Sequence, residues 1–320
     1  MVKWARKAES FGYDLVSISE DPYYRDSLPV TGAVMSATKR IRVATGIINM
    51  YTKSPVYAAM AAATLDEIGD GRLILGLGRG VKSLIEGELH IRYGSPLEYT
   101  REYVTCVKRL LAMERVTFEG KELELTNAQL HFKPIRSEIP ILVAAMGPKS
   151  ISVASRYADG VMLNSCTSTK HTRWARQVLD AHWRKRARPI LTGSLWTSVD
   201  EDIDVAYDSV RTLVGFLLSI PNFGETFLRF SGLPSDFLPD LRRIFRWDED
   251  VGDPMWHLGN PRRGSIKKIL PDSVVDALAV CGPVEECRKR FREYFDSGLT
   301  TVVVSPMTPK TFGCLRELVG

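Results

Sequence analysis

The sequence predicts an α/β fold of the (β/α)8 TIM-barrel class, and three short stretches carry the prediction. They are Thr45-Gly46-Ile47-Ile48-Asn49-Met50-Tyr51-Thr52-Lys53-Ser54-Pro55, Leu73-Ile74-Leu75-Gly76-Leu77-Gly78-Arg79-Gly80 and Val143-Ala144-Ala145-Met146-Gly147-Pro148-Lys149-Ser150. Each is an apolar run that ends in small residues just before polar or helix-forming sequence. Strand C-termini look this way when a flat cofactor lies against backbone and a phosphate reaches backbone N–H groups. Side chains of ordinary size there would hold such a ligand away. A chain of 320 residues is long enough for a barrel and insertions, since such a barrel typically takes about 250 residues.

Taken in order, residues 3–11 read as a helix with Trp4, Ala5, Ala8 and Phe11 on one face. Extended apolar runs follow at 14–19, 41–47, 72–77, 141–146, 160–164, 190–199 and 300–305. Several are near-continuous Val/Ile/Leu runs, as expected when both faces of a parallel sheet are buried. Helices fall between them. In 98–113 the positions Tyr103, Val104, Val107, Leu110 and Leu111 share a face, and in 284–297 the matching set is Val284, Cys287, Phe291 and Phe295. This alternation implies right-handed βαβ units. Two segments interrupt it. Residues 116–132 alternate apolar and polar around Glu119-Gly120-Lys121, a β-hairpin pattern. Residues 221–271 are rich in Pro, Gly and aromatics, including Trp247 and Trp256, and read as a helical or irregular insertion, a lid or an oligomer contact. Seven parallel strands are counted where a closed barrel has eight. A barrel strand would normally precede the helix at 3–11, so the expectation is a single barrel domain over 1–320 that lacks its first strand. Either the true start lies upstream or another element fills the gap, because open first and last strands would expose unpaired edges.

Composition narrows the function classes. Apolar residues make up 44% and charged residues 25%, which is ordinary for a globular protein. No apolar stretch approaches the ~20 residues that span a bilayer, and no secretory signal opens the chain. No membrane partner is expected, and cytoplasmic is the default location. The net charge of +5 is spread along the sequence. Its densest cluster, Arg184-Lys185-Arg186-Ala187-Arg188, lies at an expected helix end, where cations offset the helix dipole. No aromatic–basic platform accompanies it, so no nucleic-acid partner is expected. The cysteines Cys106, Cys166, Cys281, Cys287 and Cys314 contain no CxxC pair and histidine is scarce, which indicates neither a disulfide framework nor a metal site.

The motifs each have a plain reading beside the functional one. A dinucleotide fingerprint would need Gly at position 81, where Val81 stands, and a Walker A loop would need the same Gly before Lys82-Ser83. What remains is a glycine-rich strand-to-loop junction, or only a tight turn. In Met146-Gly147-Pro148-Lys149-Ser150, Pro148 suits a first helical turn. The N–H groups of Lys149, Ser150 and Ile151 would then be free to meet an anion; an ordinary helix start reads the same way. Ser19-Glu20-Asp21-Pro22-Tyr23-Tyr24-Arg25-Asp26 follows a strand, where acidic and aromatic residues would sit on the catalytic face of a barrel or form a solvated turn. Glu86, His90, Arg92 and Glu98 come after the glycine-rich junction, where a substrate-facing loop should lie. For His90 a surface or packing role competes with catalysis.

These residues resemble the bacterial-luciferase-like superfamily of flavin and deazaflavin enzymes, most of all the coenzyme F420-dependent branch that includes methylenetetrahydromethanopterin reductase. The resemblance rests on Ala8-Glu9-Ser10-Phe11-Gly12-Tyr13-Asp14 and on the run from Ala61-Ala62-Ala63-Thr64-Leu65-Asp66 through Gly69-Asp70-Gly71-Arg72 to Gly76-Leu77-Gly78. It continues in Ala158-Asp159-Gly160-Val161 and Cys281-Gly282-Pro283-Val284-Glu285-Glu286-Cys287. It implies a non-prolyl cis peptide at Gly46–Ile47 backing the cofactor ring. It further implies cofactor contacts from Asp21, Asn49, Gly78 and Asn164, and a grip on the phosphate-bearing tail by Ala144, Ala145, Met146, Gly147, Pro148, Lys149 and Ile151. Glu20 and Asp21 fall where the family places an acidic or Asp-His pair near the ring. The implied reaction is hydride transfer between C5 of the deazaflavin and a small-molecule substrate, with the proton handled by Glu20 or Glu98 and His90 as a further catalytic candidate. The alternatives are an FMN-dependent monooxygenase on the same fold, or a non-catalytic barrel that binds a deazaflavin or a partner protein. A homo-oligomer, dimer or tetramer, is expected from the same resemblance.

Overall fold

The computed structural model describes residues 1–21, 23–249, 251, 254–262 and 264–318. The chain forms two compact units, one of residues 1–162 and 178–190 and the other of residues 163–177 and 191–320.

The first unit opens with α1 (Val2–Ser10), β1 (Leu15–Ile18), α2 (Ser27–Ala37), β2 (Arg42–Thr45), β3 (Ile48–Asn49), α3 (Pro55–Ile68) and β4 (Leu73–Gly78). A π-helical turn (Ser83–Glu88), α4 (Pro96–Leu111), β5 (Val116–Glu119), β6 (Glu124–Ala128), β7 (Ile141–Ala144), α5 (Pro148–Tyr157) and β8 (Gly160–Leu163) follow. The expected hairpin is present: β5 and β6 pair antiparallel. The other strands run parallel in the order β1-β2-β4-β7-β8, with β3 beside β4. Register pairs such as Val16 with Val43, Gly76 with Leu142 and Val143 with Val161 bring their C-terminal ends to one edge.

Side chains alternate across each strand, so neighbouring strands contribute one residue each to a layer on a shared face. Ala44, Ile74 and Leu142 form such a layer, packed by Leu15, Met162 and Ile190. All six residues of β4 are buried, which explains their unbroken apolar character. On the outer side α3 presents Ala58, Ala59, Ala62 and Ala63, all fully buried, and small side chains let the helix approach the sheet closely. The α3–β4 connection is clamped by Asp66, which accepts from the Leu73 N–H at 3.0 Å and from Arg136 at 2.7 and 2.8 Å. At the chain start Glu9 accepts from the N–H groups of Lys39, Arg40 and Ile41 at 2.8, 2.7 and 3.0 Å, tying α1 to the approach to β2. Of the expected α1 face only Ala5 is buried; Trp4 remains exposed.

α6 (Thr169–His182) spans the boundary in sequence. The second unit continues with β9 (Ile190–Val199), α7 (Ile203–Ser219), α8 (Phe223–Ser231), α9 (Leu238–Ile244), α10 (Pro254–Gly259), α11 (Ile266–Ile269), α12 (Asp272–Leu278), β10 (Val280–Gly282), α13 (Val284–Asp296), β11 (Thr301–Pro306) and α14 (Pro309–Leu318). Both β10 and β11 pair parallel with β9. The sequence reading missed β10, because three residues give too short a run to show a period. In α13 the inward aromatic is Tyr294, fully buried, and Phe295 is 48% exposed; Phe295 lies one position past the stripe that Cys287 and Phe291 define. The 221–271 insertion, read from the sequence as helical or irregular, is largely helical. Phe216, Ile244 and Phe245 pack there with Trp247, Leu258 and Ile266, and its residues 250, 252–253 and 263 lie outside the described residues.

Among the described residues no helix is long and apolar enough to cross a membrane, and no His/Cys/Asp/Glu group has metal-ligating geometry.

Candidate active site

The C-terminal ends of β1, β3, β4 and β7 gather most of the residues singled out in the sequence. β1 delivers Glu20, whose side chain is only 11% exposed. Both of its oxygens accept from Lys53 Nζ at 2.9 Å. Oε2 also accepts from the Ser27 hydroxyl at 2.6 Å, and Oε1 from the Asn49 N–H at 3.2 Å. Glu20 is therefore an acceptor in every one of these bonds, and it ties α2, β3 and the loop before α3 together.

Asp21 follows it, and its carboxyl has no such partner among the described residues. The protein mass around Asp21 strips water from its carboxyl and the Glu20 charge adds repulsion; both push its pKa up. Its side chain keeps solvent exposure, which limits that rise.

The Gly46–Ile47 peptide is cis, at the position the resemblance implied. The small residues around it serve a purpose the sequence reading did not anticipate. A Cβ at Gly76 would overlap the Thr45 carbonyl oxygen, and one at Gly78 would stand 2.6 Å from Ile47 Cγ1. These glycines admit the chain's own 45–47 segment. Beyond it Asn49, 8% exposed, accepts from the Tyr51 N–H at 2.9 Å.

A ladder of tyrosines fixes the next loop. Tyr51 stacks on Tyr93 and Tyr99 with centroids 4.6 and 4.5 Å apart, and Tyr103 continues the row. Tyr99 donates to the Met50 carbonyl at 3.0 Å and Tyr103 to the Lys53 carbonyl at 2.8 Å. Burial pushes Tyr99 up to about 12 and raises Tyr51 and Tyr103 as well, so these phenols stay neutral and act as donors. Lys53 and Thr52 also line a cavity of about 490 Å³ with Leu28, Met60 and Leu65.

At the end of β7, Gly147 caps α5 and Pro148 occupies its first turn. A Cβ on Gly147 would meet no atom within 4 Å, so this end of the helix opens onto free space. Pro148 and Lys149 are exposed, while Ala144 and Met146 are half-buried. The N–H groups of Lys149 and Ser150 precede the helix ladder. One expectation is corrected here, the free N–H of Ile151, and the Ala145 N–H is occupied as well. The Ile151 N–H is taken by the Gly147 carbonyl at 3.0 Å and the Ala145 N–H by the Met162 carbonyl at 3.1 Å, so neither backbone donor is available to a ligand.

Two catalytic candidates do not join Glu20. Glu98 sits on the first turn of α4 with Arg101 and Glu102. The Arg101 guanidinium holds its carboxyl below the usual range, which disfavours it as a proton donor. His90 is exposed on a turn with φ of 53° just past the π-helical turn. Asn164 follows β8 in the chain, where its side chain accepts from the Ser165 N–H at 2.6 Å. Sequence reasoning missed the Lys53 and Ser27 partners of Glu20 and the tyrosine ladder. The spacing of Tyr99 and Tyr103, one turn apart on α4, was the signal available for the ladder.

A family model described as luciferase-like monooxygenase matches residues 1–301. The chain is similar to a 5,10-methylenetetrahydromethanopterin reductase of Archaeoglobus fulgidus, 29% identical over 311 residues that cover 96% of this chain and 89% of the relative. It is also similar to an F420-dependent glucose-6-phosphate dehydrogenase of Nakamurella multipartita, 34% identical over 170 residues, 49% of this chain and 50% of the relative. The solved structure of a coenzyme F420-dependent tetrahydromethanopterin reductase from Methanopyrus kandleri superposes with a TM-score of 0.81 at 22% identity, covering 99% of this chain and 92% of that one. That likeness establishes the fold class as the luciferase-like TIM barrel.

Proposed function

This chain belongs to the luciferase-like family, and on that premise we propose that it is an oxidoreductase transferring a hydride between coenzyme F420 and a small organic substrate. Relatives named as F420-dependent enzymes support the cofactor. The observation that carries the reading is the open start of α5, where Gly147 faces free space next to exposed Lys149, on the strand that pairs with β4.

The residues present fit such a group. The first-turn N–H groups of Lys149 and Ser150, with the Lys149 ammonium, would bind the phosphate-bearing tail. Ala144, Met146, Gly147 and Pro148 would line its path, and Gly46, Ile47 and Asn49 would back the ring. When bound, F420 supplies the carbon that gives or takes the hydride. The protein's share is to orient the two carbons and exclude water. Asp21, rather than Glu20 or Glu98, is the carboxyl suited to hold the accompanying proton, because its neighbours raise its pKa. Glu20 instead fixes Asn49 and Lys53. Residues 1–320 are taken as one luciferase-like domain with a hairpin at 116–132 and an insertion at 221–271; the match over 1–301 supports this. A cytoplasmic homo-oligomer completes the reading, supported by the free cysteines and by Tyr57, Met60 and Ile68 exposed on α3.

Fluorescence-quenching titrations with F420 and with FMN test the proposal. Saturable F420 binding at least about 100-fold tighter than FMN, or about 2.7 kcal/mol, is the expected result. The reverse preference would make the chain an FMN-dependent monooxygenase, and binding of neither would overturn the cofactor assignment.

A further inference from the structure

Tyr23 is 70% exposed, yet its hydroxyl donates to Glu88 Oε2 at 2.7 Å, 65 residues along the chain. The bond joins the loop that follows β1 to the π-helical turn that follows β4. Strand β2 lies between β1 and β4 and pairs with both, so the two outer strands stand about 10 Å apart. The Tyr23–Glu88 bond therefore spans the C-terminal end of β2, where the chain makes its cis Gly46–Ile47 peptide. The loop itself is fixed at its two ends. Glu20 is held by Lys53, Ser27 and Asn49, and Asp26 accepts from the Leu28 N–H at 2.9 Å to cap α2. Asp21, Tyr23, Tyr24 and Arg25 between those anchors are all exposed.

Both ends of the bond carry a cost. Tyr23 has a φ of 65°, in the left-handed region that a Cβ disfavours. Glu88 is half-buried, and its Oε1 is buried with no hydrogen-bond partner among the described residues. An oxygen in that position has lost its hydration without a donor in return. The π-helical turn that carries Glu88 is a rare form of helix, frequent at functional sites. We propose that residues 21–26 form a strap, with Tyr23 as its tongue and Glu88 as its catch, which opens and closes the way to the Gly46–Ile47 segment. Opening returns Glu88 Oε1 to water and lets Tyr23 leave the left-handed region. Both gains offset the lost hydrogen bond, so the strap is poised between two states. What it admits rests on the reading of the site as F420-dependent: a flat ring seated on that segment. Asp21 travels with the strap, so closure also brings up the carboxyl assigned to the proton.

Two measurements on the full-length protein test the strap: stopped-flow F420 binding, and amide hydrogen exchange of the cofactor-free protein over residues 21–26 and 83–90. A gate acts on entry and exit alike. Tyr23→Phe and Glu88→Ala should each raise the F420 association and dissociation rates by about fivefold or more, with the dissociation constant held within about twofold. Glu88→Gln keeps an acceptor for the Tyr23 hydroxyl and should show a smaller rise. The double variant Tyr23→Phe/Glu88→Ala should be no faster than either single one, because both break the same bond. Exchange over the two segments should quicken in Tyr23→Phe. Equal binding rates in the wild type and Tyr23→Phe overturn the proposal. A weaker dissociation constant at an unchanged association rate also overturns it, by making Tyr23 a ligand contact. If the wild type binds no F420, the cofactor reading fails and the exchange measurement decides alone: unchanged exchange in Tyr23→Phe overturns the strap. Should Glu88→Ala disturb the π-helical turn, Tyr23→Phe, on an exposed side chain, carries the comparison.

Discussion

Glu20 and Lys53 share bonds of 2.9 Å with side chains only 11% and 19% exposed, so their coupling exceeds that of a surface pair. A double-mutant cycle of Glu20→Gln and Lys53→Met should give an interaction energy of about 1–3 kcal/mol by denaturant unfolding. If the two effects simply add, the pair does not organise the loop. Lys149 makes a separate prediction. Reversing its charge at the start of α5 should weaken F420 binding by about tenfold or more and leave the melting temperature unchanged, and an equal dissociation constant would falsify the tail placement. Asp21 has its own signature in pH. A carboxyl with a raised pKa loses its proton as pH climbs, so a proton-donating Asp21 makes turnover fall toward alkaline pH. Asp21→Asn should abolish that limb in a pH–rate profile; a limb that survives belongs to another group. Glu20, Asp21 and Asn49 were legible as residues of one strand-end region because the strands that deliver them have clear apolar runs. Lys53 as the partner of Glu20 was not, since the two lie 33 residues apart and meet only through the fold.

Strand β4 shows how an element's sequence answers to its neighbour. Gly76→Ala would drive a methyl group into the Thr45 carbonyl, a backbone atom that cannot step aside. It should cost about 3 kcal/mol or more in unfolding experiments. Gly147→Ala, with open space around it, should leave stability within about 0.5 kcal/mol, so the pair separates a packing glycine from one that faces open space. The hairpin depends on α4 in a similar way. Glu102 is fully buried and accepts from the N–H groups of Lys121 and Glu122 at 2.9 and 3.0 Å. Glu102→Ala leaves those two N–H donors without their acceptor, at an expected cost of about 3 kcal/mol; amide exchange at 121 and 122 should rise with it. The helical face of α4 and the alternation of β5 and β6 were readable from their periods. The glycines of β4 were readable as glycines, but their reason was not, because only the fold brings Thr45 and Ile47 against them.

Across the whole chain, the acid limit of stability should report the tie between α1 and β2. Burial raises the pKa of Glu9, but the N–H groups of Arg40, Ile41 and Lys39 outweigh it and bring the carboxyl down from 4.5 to about 2. The folded pKa is therefore below the unfolded one. Its contribution is complete above the unfolded value and is lost as pH falls toward about 2. Glu9→Gln should cost about 1 kcal/mol at neutral pH and flatten the stability–pH curve below 4.5; a parallel curve would show that Glu9 is not the linked group. The sequence by itself determined the strand and helix alternation, the hairpin and the family resemblance. All of these rest on local period, turn chemistry and ordered short motifs, which neighbouring residues in the chain express on their own. Only the tertiary structure decided that Glu20 is bound by four donor bonds and that the Ala145 N–H is spent on the Met162 carbonyl. Each of those depends on which groups from distant parts of the chain come within hydrogen-bonding reach, and no period in the sequence encodes that distance.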